Sequence, residues 1–189
     1  MRITTALLAA TGLIAPMARA TDGVPPDLEA AILARALAYD RSLSSSAGDE
    51  VTIGVISLPE DPASRRQSEA ILEAFKELSG RTIQGLPLRA VAVPWDAELD
   101  LKDTLVGLEI DALYLTPGLD EQLDAITTAA QELGRGTLTS VEMYVRNGDA
   151  ALGVVLSGGR PSLLVNLPTA REEGMDLNSA VLKLAEVIR

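Results

Sequence analysis

The chain has 189 residues, 47% of them hydrophobic and only 3% aromatic, with 27 acidic against 16 basic side chains and a net charge of −11. It contains no histidine and no cysteine, which excludes Ser-His-Asp and Cys-His nucleophile systems, disulfides, and the usual zinc or copper centres. The acidic balance comes without a basic stripe or interleaved aromatics, so nucleic acid is set aside as a partner.

The first twenty residues, MRITTALLAATGLIAPMARA, have the three parts of a secretory signal. Arg2 is the positive start, Ala6 to Ala15 is the apolar run, and Ala18-Arg19-Ala20 is the small-x-small cleavage site. The run is well short of the roughly 20 residues that span a bilayer, and Pro16 interrupts it. Cleavage after Ala20 is expected to place the remaining protein in the periplasm. Losing Arg2 and Arg19 leaves 14 basic and 27 acidic residues, a net charge of −13. Residues 21–189 show no repeat, linker or composition break, and are expected to form one domain.

Residues 27–40, DLEAAILARALAYD, read as a helix with Leu28, Ile32, Ala36 and Tyr39 on its apolar face. A Ser-rich loop (42–48) leads to a first core strand, VTIGVIS, at 51–57. Asp61-Pro62 has the form of an N-cap followed by proline at the first helical position, opening a helix to about Leu78 that Gly80 terminates. A second strand is expected over 87–93, a short helix around 99–108 and a third strand over 110–115. Leu119, Leu123, Ile126, Ala130 and Leu133 step by four and three along a further helix, with Gly134 at its end. A fourth strand follows at 136–141.

Alternating strands and helices call for a mainly parallel sheet covered on both faces. The pattern then changes: Ala151 to Ser157 and Arg160 to Leu167 are two apolar strands joined by Gly158-Gly159, a hairpin signal rather than a phosphate loop. Leu177, Ala180, Val181, Leu184, Ala185 and Ile188 form a stripe that predicts a final amphipathic helix, capped by Asn178. The fold class expected is therefore three-layer α/β, with a mainly parallel sheet in flavodoxin- or Rossmann-like order, a C-terminal antiparallel hairpin and a final amphipathic helix.

No Walker loop, dinucleotide fingerprint, nucleophile elbow or calcium loop is present, so no cofactor and no metal is expected. Glu60-Asp61 reads as capping and Glu172-Glu173 as a solvated turn. Two carboxylates facing each other, Asp96 or Glu142 among the candidates, could serve acid–base chemistry, but the chain is read as a non-enzyme. In open α/β sheets ligands sit outside the carboxyl ends of the strands. Here that edge offers Ser57 to Glu60, Pro94 to Asp96, Thr116 to Gly118 and Glu142 to Tyr144. The candidate edge residues are Ser57, Glu60, Arg65, Arg66, Trp95, Asp96, Thr116 and Glu142. Trp95, the single tryptophan, is either a docking anchor or a cover for the sheet edge. Arg65 and Arg66 either meet an anion or an acidic partner, or decorate a solvated helix face.

The segment SGGRPSLLVNLPTAREEGMDLNSAVLKLAEVIR, read with AAILARALAYDRSL and VTIGVIS, resembles the YfiR-like family of periplasmic proteins. The residues that carry the resemblance are Val165-Asn166, Ala170 with Gly174, and Val181 to Ala185. The Trp-Pro pair of many relatives is missing after the first helix, as are the cysteines some of them carry. The resemblance implies a periplasmic regulator that binds the periplasmic part of an inner-membrane diguanylate cyclase and holds its output down, without touching the nucleotide. It also allows a homodimer. Asn166 and Gly174 are expected to serve the fold. The alternative from the residues themselves is a small-molecule binder related to one lobe of a solute-binding protein.

Overall fold

The computed structural model describes residues 23–189, so the signal-peptide reading of residues 1–20 lies outside the described residues. In chain order, α1 (Pro26–Leu37) and the short α2 (Leu43–Ser46) precede β1 (Val51–Ser57). Then α3 (Pro62–Glu77) leads to β2 (Thr82–Ile83) and β3 (Leu86–Pro94), α4 (Leu101–Gly107) to β4 (Ala112–Leu115), and α5 (Leu123–Leu133) to β5 (Gly136–Thr139). Next, α6 (Glu142–Asn147) leads to β6 (Leu152–Ser157) and β7 (Arg160–Asn166), followed by α7 (Leu167–Glu172), α8 (Ser179–Leu182) and β8 (Glu186–Ile188).

The strands form one mixed, mostly parallel sheet in the order β2-β3-β1-β4-β5-β6-β7-β8. Strands β3, β1, β4, β5 and β6 run parallel to their neighbours, while β2 is antiparallel on β3 and β7 on β6. From β1 the chain moves outward to β3 and then returns through α4 to β4 on the other side, so the strand order reverses between β1 and β4. Ile53 and Val55 point to one face of β1, and Gly54 and Ile56 to the other. All seven residues of β1 are buried, as expected for a strand covered on both faces. On the first face Leu33, Leu37, Ile71 and Phe75 of α1 and α3 cover Ile53 and Tyr114. On the second, Leu105, Ile126 and Val145 of α4, α5 and α6 cover Ile56, Leu113 and Leu115.

Local chemistry explains most boundaries. The Asp61 carboxylate accepts a hydrogen bond from Ser64 N and Pro62 sits in the first turn of α3, as the Asp-Pro pair predicts. Gly134 adopts φ 63° to end α5. Gly158 and Gly159, at φ 56° and 77°, make the two-residue turn between β6 and β7, with Ser157 facing Arg160. A second such turn, not expected from the sequence, joins β2 to β3 at Gln84 and Gly85, φ 53° and 90°. The positive φ of Gln84 is offset because its side-chain amide donates to the carbonyls of Leu37, Ala38 and Asp40, closing the end of α1.

Several expectations are corrected. The final amphipathic helix does not form: α8 has four residues, and Glu186–Ile188 become β8, parallel to β7. Val187 and Ile188 favour a strand, and β8 covers what would otherwise be an open sheet edge. Leu184, assigned to the apolar stripe, is 70% exposed. Asn178 still caps the short α8, accepting from Ala180 N. The face of α1 is out of phase with its expected one: Glu29, Ala30, Leu33, Ala36 and Leu37 are buried, whereas Leu28 is 44% exposed. In a helix so rich in Ala, Leu and Ile, neighbouring phases are equally apolar. Glu142 to Tyr144, read as a loop, open α6. The supposed solvated turn at Glu172-Glu173 ends α7, and Glu173 is fully buried.

Candidate functional site

The carboxyl ends of β1 and β4 meet at the reversal of strand order, and hydroxyl groups organise that corner. Leu58 N donates to Ser64 Oγ at 2.8 Å, and Ser64 Oγ lies 2.6 Å from Thr116 Oγ1, which donates to Ile56 O at 2.9 Å. The chain of bonds fixes the β1–α3 loop to β4. Each hydroxyl spends its hydrogen bonds on this internal chain, so the corner is a brace for the loop.

The other edge residues are placed around it. Ser57 is buried, and its carbonyl accepts from Trp95 N at 2.7 Å, which ties the ends of β1 and β3 together. The Trp95 ring is half-buried against the cluster of Ile56, Val93 and Leu105. Asp96 is exposed and accepts from Glu98 N, and Glu60 is exposed. Arg65 donates to Pro59 O at 3.0 Å across the loop, and Arg66 is exposed beside it. Glu142 is half-buried and paired with Arg146 at 2.6 Å. Ser57, Trp95 and Thr116 are thus brought together, whereas Glu142 belongs to a neighbouring cleft. Asn166 and Gly174 lie at the opposite, amino end of the parallel strands. There Asn166 caps α7 by accepting from Thr169 N and donates to Val145 O at 2.8 Å. Gly174 has φ 78°, and a Cβ added there would lie 3.5 Å from the Cα of Gly134.

The chemistry concentrated at the carboxyl edge lies in residues that sequence reasoning did not select. Glu29 of α1 is 1% exposed. Tyr114 OH donates to its Oε1 at 2.6 Å, and the Gln67 amide donates to Oε2 at 3.2 Å and to Tyr114 OH at 2.7 Å. Tyr114 OH also lies 3.2 Å from Ser140 Oγ at the end of β5. Burial pushes the Glu29 carboxyl up to about 7, against the lowering effect of the two hydrogen bonds. Burial also raises the Tyr114 hydroxyl, with the adjacent carboxylate adding to it. Glu29 and Gln67 of this cluster line a cleft of about 280 Å³ that Ser140, Glu142 and Val154 to Leu156 complete, with Tyr114 buried behind them. The signal for it was the i, i+4 and i+7 spacing of Glu29, Leu33 and Ala36, which puts a carboxylate on the apolar stripe.

A second buried carboxyl works at the amino ends. Glu173 accepts from Thr137 N at 2.8 Å and from Thr137 Oγ1 at 2.7 Å, and Thr137 Oγ1 in turn accepts from Ala151 N. Burial pushes Glu173 up to about 8. Nearby, Asp111 accepts from Thr52 N at 2.9 Å and meets Arg135 at 3.5 Å. Burial raises its carboxyl, and those two contacts oppose the shift. Among the described residues no group of three or more acidic side chains is placed to hold a metal ion, and no helix is long and apolar enough to cross a membrane.

Solved structures share this fold. An ABC domain from Streptococcus pneumonia in complex with L-Trp matches with a TM-score of 0.59 and 17% identity, over 87% of this chain and 60% of that one. A conserved domain protein from Vibrio cholerae matches with a TM-score of 0.60 and 14% identity, over 87% and 60%. The ligand-free, open structure of a substrate binding protein with adhesive properties from Clostridium difficile gives 0.53 and 17%, over 78% and 57%. At these identities the likeness shows the fold, and the chain spans about three fifths of the length of each structure. No curated protein matches the sequence. The profile of the YfiR/HmsC-like family matches residues 26–186, from the first turn of α1 into β8. The chain therefore belongs to the YfiR/HmsC-like family.

Proposed function

We propose that this protein is an exported, non-enzymatic regulator that binds the periplasmic part of a membrane signalling protein and holds its output down. By family resemblance that partner is a diguanylate cyclase. The observation that carries the reading is the family match over 26–186, which takes in nearly the whole described chain. Two features agree with it: the secretory signal over residues 1–20, and polar edge residues whose hydrogen bonds are used to brace loops instead of converging on a reacting atom. The test is a cross-linking pull-down of the mature protein from its native envelope, with identification of what is captured. Recovery of a membrane sensor with a periplasmic part supports the regulator, and recovery of transporter subunits or of the protein alone overturns it. N-terminal sequencing of the exported protein should begin at Thr21.

The cleft beside Glu29 favours a second reading, a binder of a small molecule. It lies outside the carboxyl ends of β4 and β5, the position open α/β sheets use for ligands, and the Glu29 carboxyl, the Gln67 amide and the Ser140 hydroxyl line it. Titration of metabolites against the melting temperature separates the readings, since a bound ligand raises it.

A further inference from the structure

The outward side of α1 faces the end of α3 and the β2 strand across a groove of about 440 Å³. Its walls are apolar, with Leu28 and Ile32 on α1 opposing Leu78 and Ile83. Leu28, large and apolar, is 44% exposed on this face. Two charged residues line the groove, Arg35 and Arg81, and no acidic residue does. This is a local inversion of sign on a chain of net charge −11. Both arginines are exposed, and neither forms an ion pair among the described residues.

We infer that this groove is a docking site for an acidic amphipathic helix of the membrane partner, and this rests on the regulatory reading above. The argument is one of shape and charge together. From Leu28 to Ala38 the α1 wall runs for about 15 Å, the length of some three helical turns. An apolar helix face laid along it removes Leu28 and Ile32 from water. Arg35 stands on the α1 wall and Arg81 on the wall that leads into β2, so the positive charges flank the apolar strip on both sides. A helix with carboxylates bordering its apolar stripe meets both guanidinium groups at once. A fatty acid, with a single headgroup, meets one. The remaining surface of the protein is predominantly acidic and repels such a segment, which directs it to this groove.

The test uses the full chain in its native envelope, with the photo-reactive residue benzoylphenylalanine placed at Ala38 or Thr82, both exposed beside the groove. Parallel samples carry it at Thr128 or Met143, exposed on α5 and α6. The expected result is cross-linking from Ala38 and Thr82 to a partner segment with apolar residues at helical spacing and flanking Asp or Glu. Arg35→Glu combined with Arg81→Glu should lower that yield roughly tenfold or more while the melting temperature stays in place. Arg35→Gln with Arg81→Gln serves as the second pair, with a smaller loss that raised salt reproduces in the unmodified protein. Cross-links to a membrane protein from Thr128 or Met143 alone would overturn this groove and leave the regulatory reading standing. Cross-links to no protein from any position would remove both. Products from the groove that contain only lipid, or only a second copy of this chain, would also refute the proposed occupant.

Discussion

Replacing Glu173 by Gln should change how the stability of this protein responds to pH. Glu173 is fully buried, accepts two hydrogen bonds from Thr137 and has no cation beside it. Its carboxyl is pushed from an ordinary 4.5 up to about 8. The folded state therefore holds a proton that the unfolded chain releases. The stabilisation is complete below pH 4.5 and is lost as pH rises toward 8. One such group gives a slope of about 1.4 kcal/mol per pH unit, and the whole interval sets a ceiling of about 5 kcal/mol. Glu29, pushed up to about 7, acts in the same direction over a shorter interval. Two carboxyls thus give a combined slope of about 2.8 kcal/mol per pH unit between pH 4.5 and 7, and Glu173 alone continues it to pH 8. The Gln side chain imitates the neutral acid, and its carbonyl keeps the bond from Thr137 N. Glu173→Gln should therefore halve the slope below pH 7 and nearly flatten the curve from pH 7 to 8. The assay is urea denaturation of the mature protein at half-unit pH steps, for wild type and variant. Parallel stability curves would refute the reasoning, because Glu173 would then hold no extra proton when folded.

Three further substitutions test other parts of the structure. Gly153→Ala would set a Cβ 2.6 Å from Val145 Cγ2 and 3.4 Å from the Thr139 carbonyl, so forcing α6 away from the β5–β6 pair should cost roughly 1–3 kcal/mol in denaturation. Asn166→Ala removes the cap of α7 and leaves Val145 O without its side-chain donor. A loss of about 2–3 kcal/mol is expected, with earlier hydrogen exchange in α7. Leu184→Ser should change stability by no more than about 0.5 kcal/mol, because Leu184 is 70% exposed. A larger loss would restore the amphipathic helix that its spacing predicts.

The sequence by itself determined the elements whose signals are local. The Asp-Pro start of α3, the glycine that ends α5, the Gly158-Gly159 turn and the largely apolar β1 all follow from residues a few positions apart. The residues of the carboxyl edge could also be named, since the alternation of strand and helix says where such an edge must be. What they do there could not: Ser64, absent from the candidates, organises the corner that Thr116 joins. Tertiary structure decided the rest, and in each case the deciding partner is distant in sequence. The phase of α1 depends on Tyr114, 85 residues from Glu29, which makes it possible to bury a carboxyl in place of Leu28. Glu173 is buried because Thr137 supplies two donors, 36 residues away. The C-terminal stripe fits a helix equally well by spacing, but β7 offers an open edge, and pairing with it satisfies the backbone of Glu186 to Ile188 as a strand. Periodicity records which side chains avoid water, and only the assembled sheet shows which backbone and carboxyl groups still need a partner.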